Sequence, residues 1–287
     1  MRAVLSGNCL TNGEINMQLS KDQLASYERD GFLVLPELFS VREVDAMKAD
    51  LERIQKVDTD HLVRERGSNV AKTIYRVHEA DGPTASPIFH PAARSPRLLT
   101  PAQLLLADDA LYVFHTKCNL KSAIDGSVWQ WHQDYGSWRR DGVPEPSLTT
   151  ALIMLDEPTE MNGCLYFLPG SHKLGNLESE MDDQTTSYRL WVVPKEQLVD
   201  IMKQSPEPVP ISGKPGTVVF FHCNILHASG HNLSRHDRWH IYIVYNQVAN
   251  KPNAVPNPRP DYQRSINVKP LIVGTDEILA KTNEKIM

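Results

Sequence analysis

Downstream of residue 110 the apolar and polar positions alternate in short runs broken by Gly and Pro, which predicts strands over 111–120, 128–134, 149–155, 164–168, 217–222 and 239–246. Upstream the rhythm is helical. Ser20 with Gln23 and Ser40 with Glu43 are spaced as capping boxes. After the second, Val44, Met47, Leu51 and Ile54 recur at the spacing of one helix face, and Phe32–Leu35 reads as a short strand between the two helices. Many strands beside few helices argue for a mainly β fold with flanking helices, a sandwich or a barrel. Residues 1–18 are expected to be disordered and 19–287 to form one domain. Within it, 176–210 is polar and then helix-like around 195–203, and is either a lid over a site or a plain surface insertion. The Pro-rich run at 251–260 opens an extended strap, 251–287, that ends in a short helix and is given no chemistry.

Composition narrows the function. At 287 residues the chain can bury a large single core, and its formal charge of −5 with no long basic run gives no reason to expect nucleic acid as a partner. Cys9, Cys118, Cys164 and Cys223 form no CxxC pair and no framework, as in a reduced intracellular protein. No apolar run reaches membrane-spanning length and the first residues lack a signal-peptide core, so a cytoplasmic location without a membrane partner is expected. A homodimer is compatible with the sequence.

The chemistry is carried by a few spaced side chains. In a strand, residues two apart point to one face, so His132 and Asp134 can reach one metal ion, and His227 can join them from a distant strand. Two imidazoles and a carboxylate on one face of an ion leave three positions open, the arrangement of non-haem Fe(II) oxygenases. Alternatively, the HxD pair is two polar residues on a surface strand. The second half favours the metal: His227 follows the apolar run 217–221 and the turn Pro215-Gly216, and Arg238 opens a strand on which His240 and Tyr242 share its face. An arginine heading an inward row calls for an anion, and its planar fork suits a carboxylate.

Three blocks, VWQWHQDYGSWRRDGVPEP from Val128, LDEPTEMNGCLYFLPGSHKLG from Leu155 and FFHCNILHASGHNLSRHDRWHIYIVYN from Phe220, resemble the phytanoyl-CoA dioxygenase family of Fe(II)/2-oxoglutarate oxygenases. The likeness runs from about residue 19 to 250. It implies a double-stranded β-helix (jelly roll, cupin-like) in which His132, Asp134 and His227 hold Fe(II). Arg238 would meet the far carboxylate of 2-oxoglutarate, with Ser229 and Asn119 beside it. O2 would then convert the co-substrate to succinate and CO2 while an unactivated carbon is hydroxylated. Asp134 favours hydroxylation, since related halogenases carry a small residue at that position. If Asn119 faces the co-substrate, strand alternation puts Lys117 and His115 on the same face, and a buried Lys117 would need an anion, either the co-substrate, which makes it a further co-substrate-binding residue, or the substrate; alternatively it is an outward lysine on an edge strand.

For the substrate, Trp138 and Phe221 match aromatic residues that enclose a cationic ring in the family, and Gln130 lies one inward step before His132. His115 and His240 stand where a relative has amides, which changes size and donor pattern. These positions point to a small polar amino-acid-like or cyclic imino-acid-like metabolite, whose carboxylate Arg139 or Arg140 could meet. Two other readings are an oxygenase acting on an acyl thioester or carrier-tethered substrate, and a cupin-like binding protein that keeps metal without turnover. The first lacks a basic entry patch. The second is at odds with an intact His132, Asp134, His227 and Arg238.

Overall fold

The computed structural model describes residues 10–11, 14–15, 17–65, 68–185 and 189–279. A short ladder of β1 (Leu10–Thr11) and β2 (Glu14–Ile15) precedes α1 (Lys21–Asp30), β3 (Phe32–Leu35) and α2 (Val41–Ile54). Both helices open with the reciprocal capping box written in the sequence, Ser20 with Gln23 and Ser40 with Glu43. The first helix stops at Gly31, whose φ of 84° lets the chain turn straight into β3. The expectation for residues 1–18 lies largely outside the described residues.

Then follow β4 (Leu62–Arg64), β5 (Ala71–Tyr75), α3 (Phe89–Ala92), α4 (Leu99–Leu106) and the long β6 (Leu111–Lys121). Next come β7 (Trp129–His132), α5 (Asp134–Trp138), β8 (Leu148–Met154) and β9 (Leu165–Phe167). The 176–210 segment supplies β10 (Glu180–Asp182), β11 (Leu190–Val192), α6 (Lys195–Gln204) and β12 (Val209–Ile211). Last are β13 (Val218–His222), β14 (His227–Ser229) and β15 (Arg238–Gln247). Beyond β15 the described strap is extended, with 3-10 turns at Val248–Asn250 and Asp261–Gln263; the short helix expected at its end falls outside the described residues past 279.

Two sheets face each other. The larger has strand order β3-β13-β8-β15-β6-β5-β4 and the smaller β12-β9-β14-β7, all antiparallel. Sequence-distant strands are neighbours in both, which is the double-stranded β-helix. Period two sorts the side chains: Val219 and Phe221 of β13 pack with Leu152, Tyr242, Leu165, Phe167 and Ile211 between the sheets. Val218 and Phe220 point the other way, into the cluster that docks Met47, Leu51 and Ile54 of α2 on the outer face.

Asp134 is not in the strand with His132; β7 ends at His132, Gln133 keeps extended backbone, and Asp134 is the first residue of α5. Strands β4 and β5 were not expected, because the run they sit in is polar and its alternation is masked by Lys72 and Thr73, both of which are buried.

Leu51 is fully buried in the helix–sheet cluster. Its replacement by Ala is expected to cost about 2–5 kcal/mol in urea unfolding. Burial also depresses His78 to about 3, with Arg76 and Arg94 adding to it, while its Nδ1 pairs with the Thr116 hydroxyl at 2.9 Å. A histidine kept neutral in the fold and titrating near 6.5 in the unfolded chain gives stability that is present above pH 6.5 and lost as pH falls from there toward 3. The loss from this residue should approach about 1.4 kcal/mol per pH unit, and urea titrations of His78→Gln should show a flatter pH profile than the native chain.

Candidate active site

The site is set by one pairing. His132, at the end of β7, is the cross-strand partner of His227, at the start of β14, and the ring centroids lie 4.1 Å apart. Each imidazole donates its Nδ1–H to a carbonyl two residues back, His132 to Gln130 at 2.7 Å and His227 to Ile225 at 3.1 Å. That fixes the tautomer and leaves both Nε2 lone pairs bare. The Asp134 Oδ1 lies 3.7 Å from Nε2 of His132 and 3.9 Å from Nε2 of His227, and the three donors all fall within 4.8 Å of one another. Burial, with His227 beside it, pushes His132 well below its ordinary range, so its ring is neutral and able to coordinate. The donor set and its geometry fit one ferrous ion bound on a single face.

Gln133, between the ligands, works as a staple. Its amide donates to the Gly175 carbonyl at 2.9 Å and to the Asn224 carbonyl at 2.8 Å, and its oxygen accepts from the Leu177 amide at 3.0 Å. The strand-to-helix corner that presents Asp134 is thereby tied to the segment before His227. Sequence reasoning missed this residue because nothing in the spacing marks a middle residue of HxD as buried.

A cavity of about 510 Å³ opens onto the three donors. Of the expected site residues, His115, Lys117, Asn119 and Trp138 lie on its wall together with His132, Asp134 and His227. The Nδ1 of His115 donates to the Gln263 carbonyl at 2.9 Å, and burial holds the ring at about 3, hence neutral. Trp138 meets His115 edge to face, with centroids 5.6 Å apart. Lys117 is pushed down to about 7 by burial against the pull of Asp134, and its ammonium sits 4.0 Å from the centre of the Trp129 ring.

The others are elsewhere. Phe221 is fully buried behind His227, centroids 5.6 Å apart, and belongs to the core between the sheets rather than to the cavity wall. His240 lies beneath the wall, its Nδ1 accepting from Arg238 at 2.9 Å and its buried Nε2 without a partner. Gln130 serves the site through its carbonyl, and its side chain is not on the wall. Inward alternation alone does not separate core from cavity, since both occupy the inner face. Arg238 is 1% exposed, donates to the Gly163 carbonyl at 3.0 Å, and has an Nε with no partner. The Ser229 hydroxyl accepts from Lys121 at 2.8 Å. A buried guanidinium with an orphan donor and no carboxylate partner among the described residues fits the end of a diacid.

The strap, given no chemistry from sequence, is part of the wall. Pro258, Arg259, Pro260 and Gln263 line the cavity, and Arg259 clamps Asp141 with its backbone amide at 2.9 Å, Nε at 2.8 Å and a terminal nitrogen at 2.6 Å. Polar, Pro-rich chain carries no periodicity by which this could have been read. From the 176–210 segment Met181, Leu190 and Trp191 close another side, with Arg140 stacked on Trp191 at 3.5 Å and donating to Ser179 at 3.1 Å.

The chain is similar to known oxygenases over most of its length. It is 34% identical to the ectoine dioxygenase of Bordetella bronchiseptica across 87% of this chain and 83% of that protein. It is 31% identical to the L-proline trans-4-hydroxylase of Streptomyces griseoviridis across 80% and 88%. The crystal structure of EctD from S. alaskensis with 2-oxoglutarate and 5-hydroxyectoine superposes with a TM-score of 0.77 at 29% identity, covering 93% of this chain and 90% of that one. The same protein with bound Fe superposes with a TM-score of 0.76 at 28% identity and the same coverage. With the site described above, these make the chain a 2-oxoglutarate-dependent non-haem iron dioxygenase.

His227→Ala is expected to lose stoichiometric Fe(II), measured as iron per chain after desalting, while far-ultraviolet circular dichroism stays that of the native fold; full iron retention would remove His227 from the ligand set. The family model for phytanoyl-CoA dioxygenase (PhyH) matches residues 27–239, and the chain belongs to that family.

Proposed function

We propose that the protein hydroxylates an unactivated carbon of a small amino-acid-like or cyclic imino-acid-like metabolite, with release of succinate and CO2. When bound at His132, Asp134 and His227, iron supplies the activation of dioxygen. The chain's own residues do the rest. The two imidazoles and the Asp134 carboxylate would hold the ion, and the cavity beside them would admit the keto acid end of 2-oxoglutarate. Arg238 receives the far carboxylate, with Ser229 and Asn119 beside it. The walls from the strap and the 176–210 segment exclude water, and we read the latter as a lid.

The observation that carries the substrate class is the cavity itself. Its 510 Å³ lies in the range of small-molecule sites and is shared with the co-substrate. Its wall combines the Trp138 ring, the Lys117 amine, the guanidinium cations of Arg140 and Arg259, and a neutral His115 whose Nδ1 is already committed. The remaining Nε2 of His115 can only accept, which suits an N–H or O–H of the substrate, while the cations suit its carboxylate. The ectoine and proline enzymes among the relatives act on compounds of this kind. A reducing, cytoplasmic setting is part of the proposal, supported by the buried free thiols of Cys118, Cys164 and Cys223.

The test is a panel of free amino acids, imino acids and ectoine, scored for succinate release coupled to a product one oxygen heavier. Turnover confined to acyl thioesters would overturn the small-substrate reading. Arg238→Ala should raise the 2-oxoglutarate requirement by about tenfold to a hundredfold, the loss of one charge-assisted pair; an unchanged requirement removes its anchor role.

A further inference from the structure

Six threonines are buried among the described residues, and the hydroxyls of five, Thr73, Thr84, Thr116, Thr149 and Thr217, each hydrogen-bond a side chain or a backbone group. Thr150 is the exception. It is 0% exposed, and its Oγ1 has no partner among the described residues. A buried hydroxyl left unpaired is destabilising, and a valine would fill the same space without that penalty. Nothing in the packing of the fold therefore calls for the hydroxyl.

Its place in the sheet supplies a reason. Thr150 on β8, Val244 on β15 and His115 on β6 are cross-strand partners in one row of the larger sheet, and all three line the cavity. The next member of the row, Phe221 on β13, packs against the ring of the metal ligand His227 with centroids 5.6 Å apart. The row thus runs from the metal side of the cavity toward the strap. Its two ends differ in charge. At His115 the strap carbonyl of Gln263 holds Nδ1, and Arg259, Lys117 and more weakly Asp134 bear on the ring. At Thr150 the neighbours in the row are Phe221 and Val244, whose side chains have no hydrogen-bonding atom. The hydroxyl is the one polar group on this apolar stretch, two strand spacings or about 10 Å of sheet from the backbone of His115.

A substrate whose carboxylate is held at the cationic end would lay its body over Val244 and reach Thr150 with its far side. We propose that Thr150 is a specificity-determining residue whose hydroxyl hydrogen-bonds a nitrogen or oxygen in the body of the substrate, so that the substrate carries a further polar group beyond its carboxylate and amine. This rests on the small-substrate reading above and narrows it, since compounds with a purely hydrocarbon body are then poor substrates. An analogue without the heteroatom leaves the hydroxyl buried and unpaired, and a site rejects such an analogue more strongly than one that merely lacks a methylene.

The experiment is an anaerobic titration of the protein loaded with Fe(II) and 2-oxoglutarate, read by the change that each probe causes in the visible absorption of the iron–keto acid chelate. The probes are two pairs that differ by exchange of one methylene for an ether oxygen: L-pipecolate against morpholine-3-carboxylate, and L-norvaline against O-methyl-L-serine. In the native protein the ether member of at least one pair should bind about tenfold more tightly, the effect of one hydrogen bond to a buried group. Thr150→Val should abolish that preference and Thr150→Ser should keep it. The urea midpoint of Thr150→Val without ligands should not fall, because no internal hydrogen bond is lost; a fall would assign the hydroxyl to the fold and overturn the proposal. Equal binding within both pairs, a preference that survives Thr150→Val, or no response to any of the four probes would overturn it as well. Turnover confined to acyl thioesters would instead sink the small-substrate reading, and failure to form the chelate with 2-oxoglutarate would sink the dioxygenase reading itself.

Discussion

The antiparallel pairing of β7 with β14 is the constraint on which the rest depends. It sets His132 opposite His227, and because each ring is held by a carbonyl of its own strand, backbone geometry fixes where both lone pairs point. The metal ligands are thus consequences of sheet register. A slip by one residue would turn His227 to the other face of its strand and empty the site. The register is protected by β9 on the far side of β14, where Phe167 stands opposite His227, and by the core between the sheets behind it.

Against that rigid edge, the third ligand and the wall are built from less regular chain. Asp134 is delivered by a corner, with Gln133 fastening it to two separate stretches of backbone. Its carboxylate is 23% exposed and faces the cavity, while both imidazoles are nearly closed off. Protein therefore shields one side of the metal position and leaves the other to small molecules, which is the asymmetry an oxygenase needs.

Much of this was legible in the sequence, for physical reasons that differ by element. Capping boxes are local chemistry, and α1 and α2 begin where Ser20 and Ser40 place them. The strands of the larger sheet alternate over many residues, so β6, β8, β13 and β15 could be read within about a residue or two. The short strands β10, β11 and β12 hold only three residues each and carry no periodicity. For the site, residue types at spaced positions pointed to the three metal donors, although the strand face thought to unite His132 with Asp134 proved to be a helix start. The cavity wall was partly misread at Phe221, His240 and Gln130, because an inner sheet face continues from core to cavity with no change of pattern. Arg259 was missed for a different reason: its partner is more than a hundred residues away in sequence.

The clamp between Arg259 and Asp141 has a consequence for how such an enzyme diversifies. Asp141 lies in the turn that continues α5, so the strap is buttoned to the same short helix that begins with Asp134. A strap of different composition could be exchanged for this one, with new contacts offered to incoming molecules, provided the button is kept. Selectivity and oxidative power would then evolve as separate modules, the first by rewriting a tail, the second left untouched in the sheets.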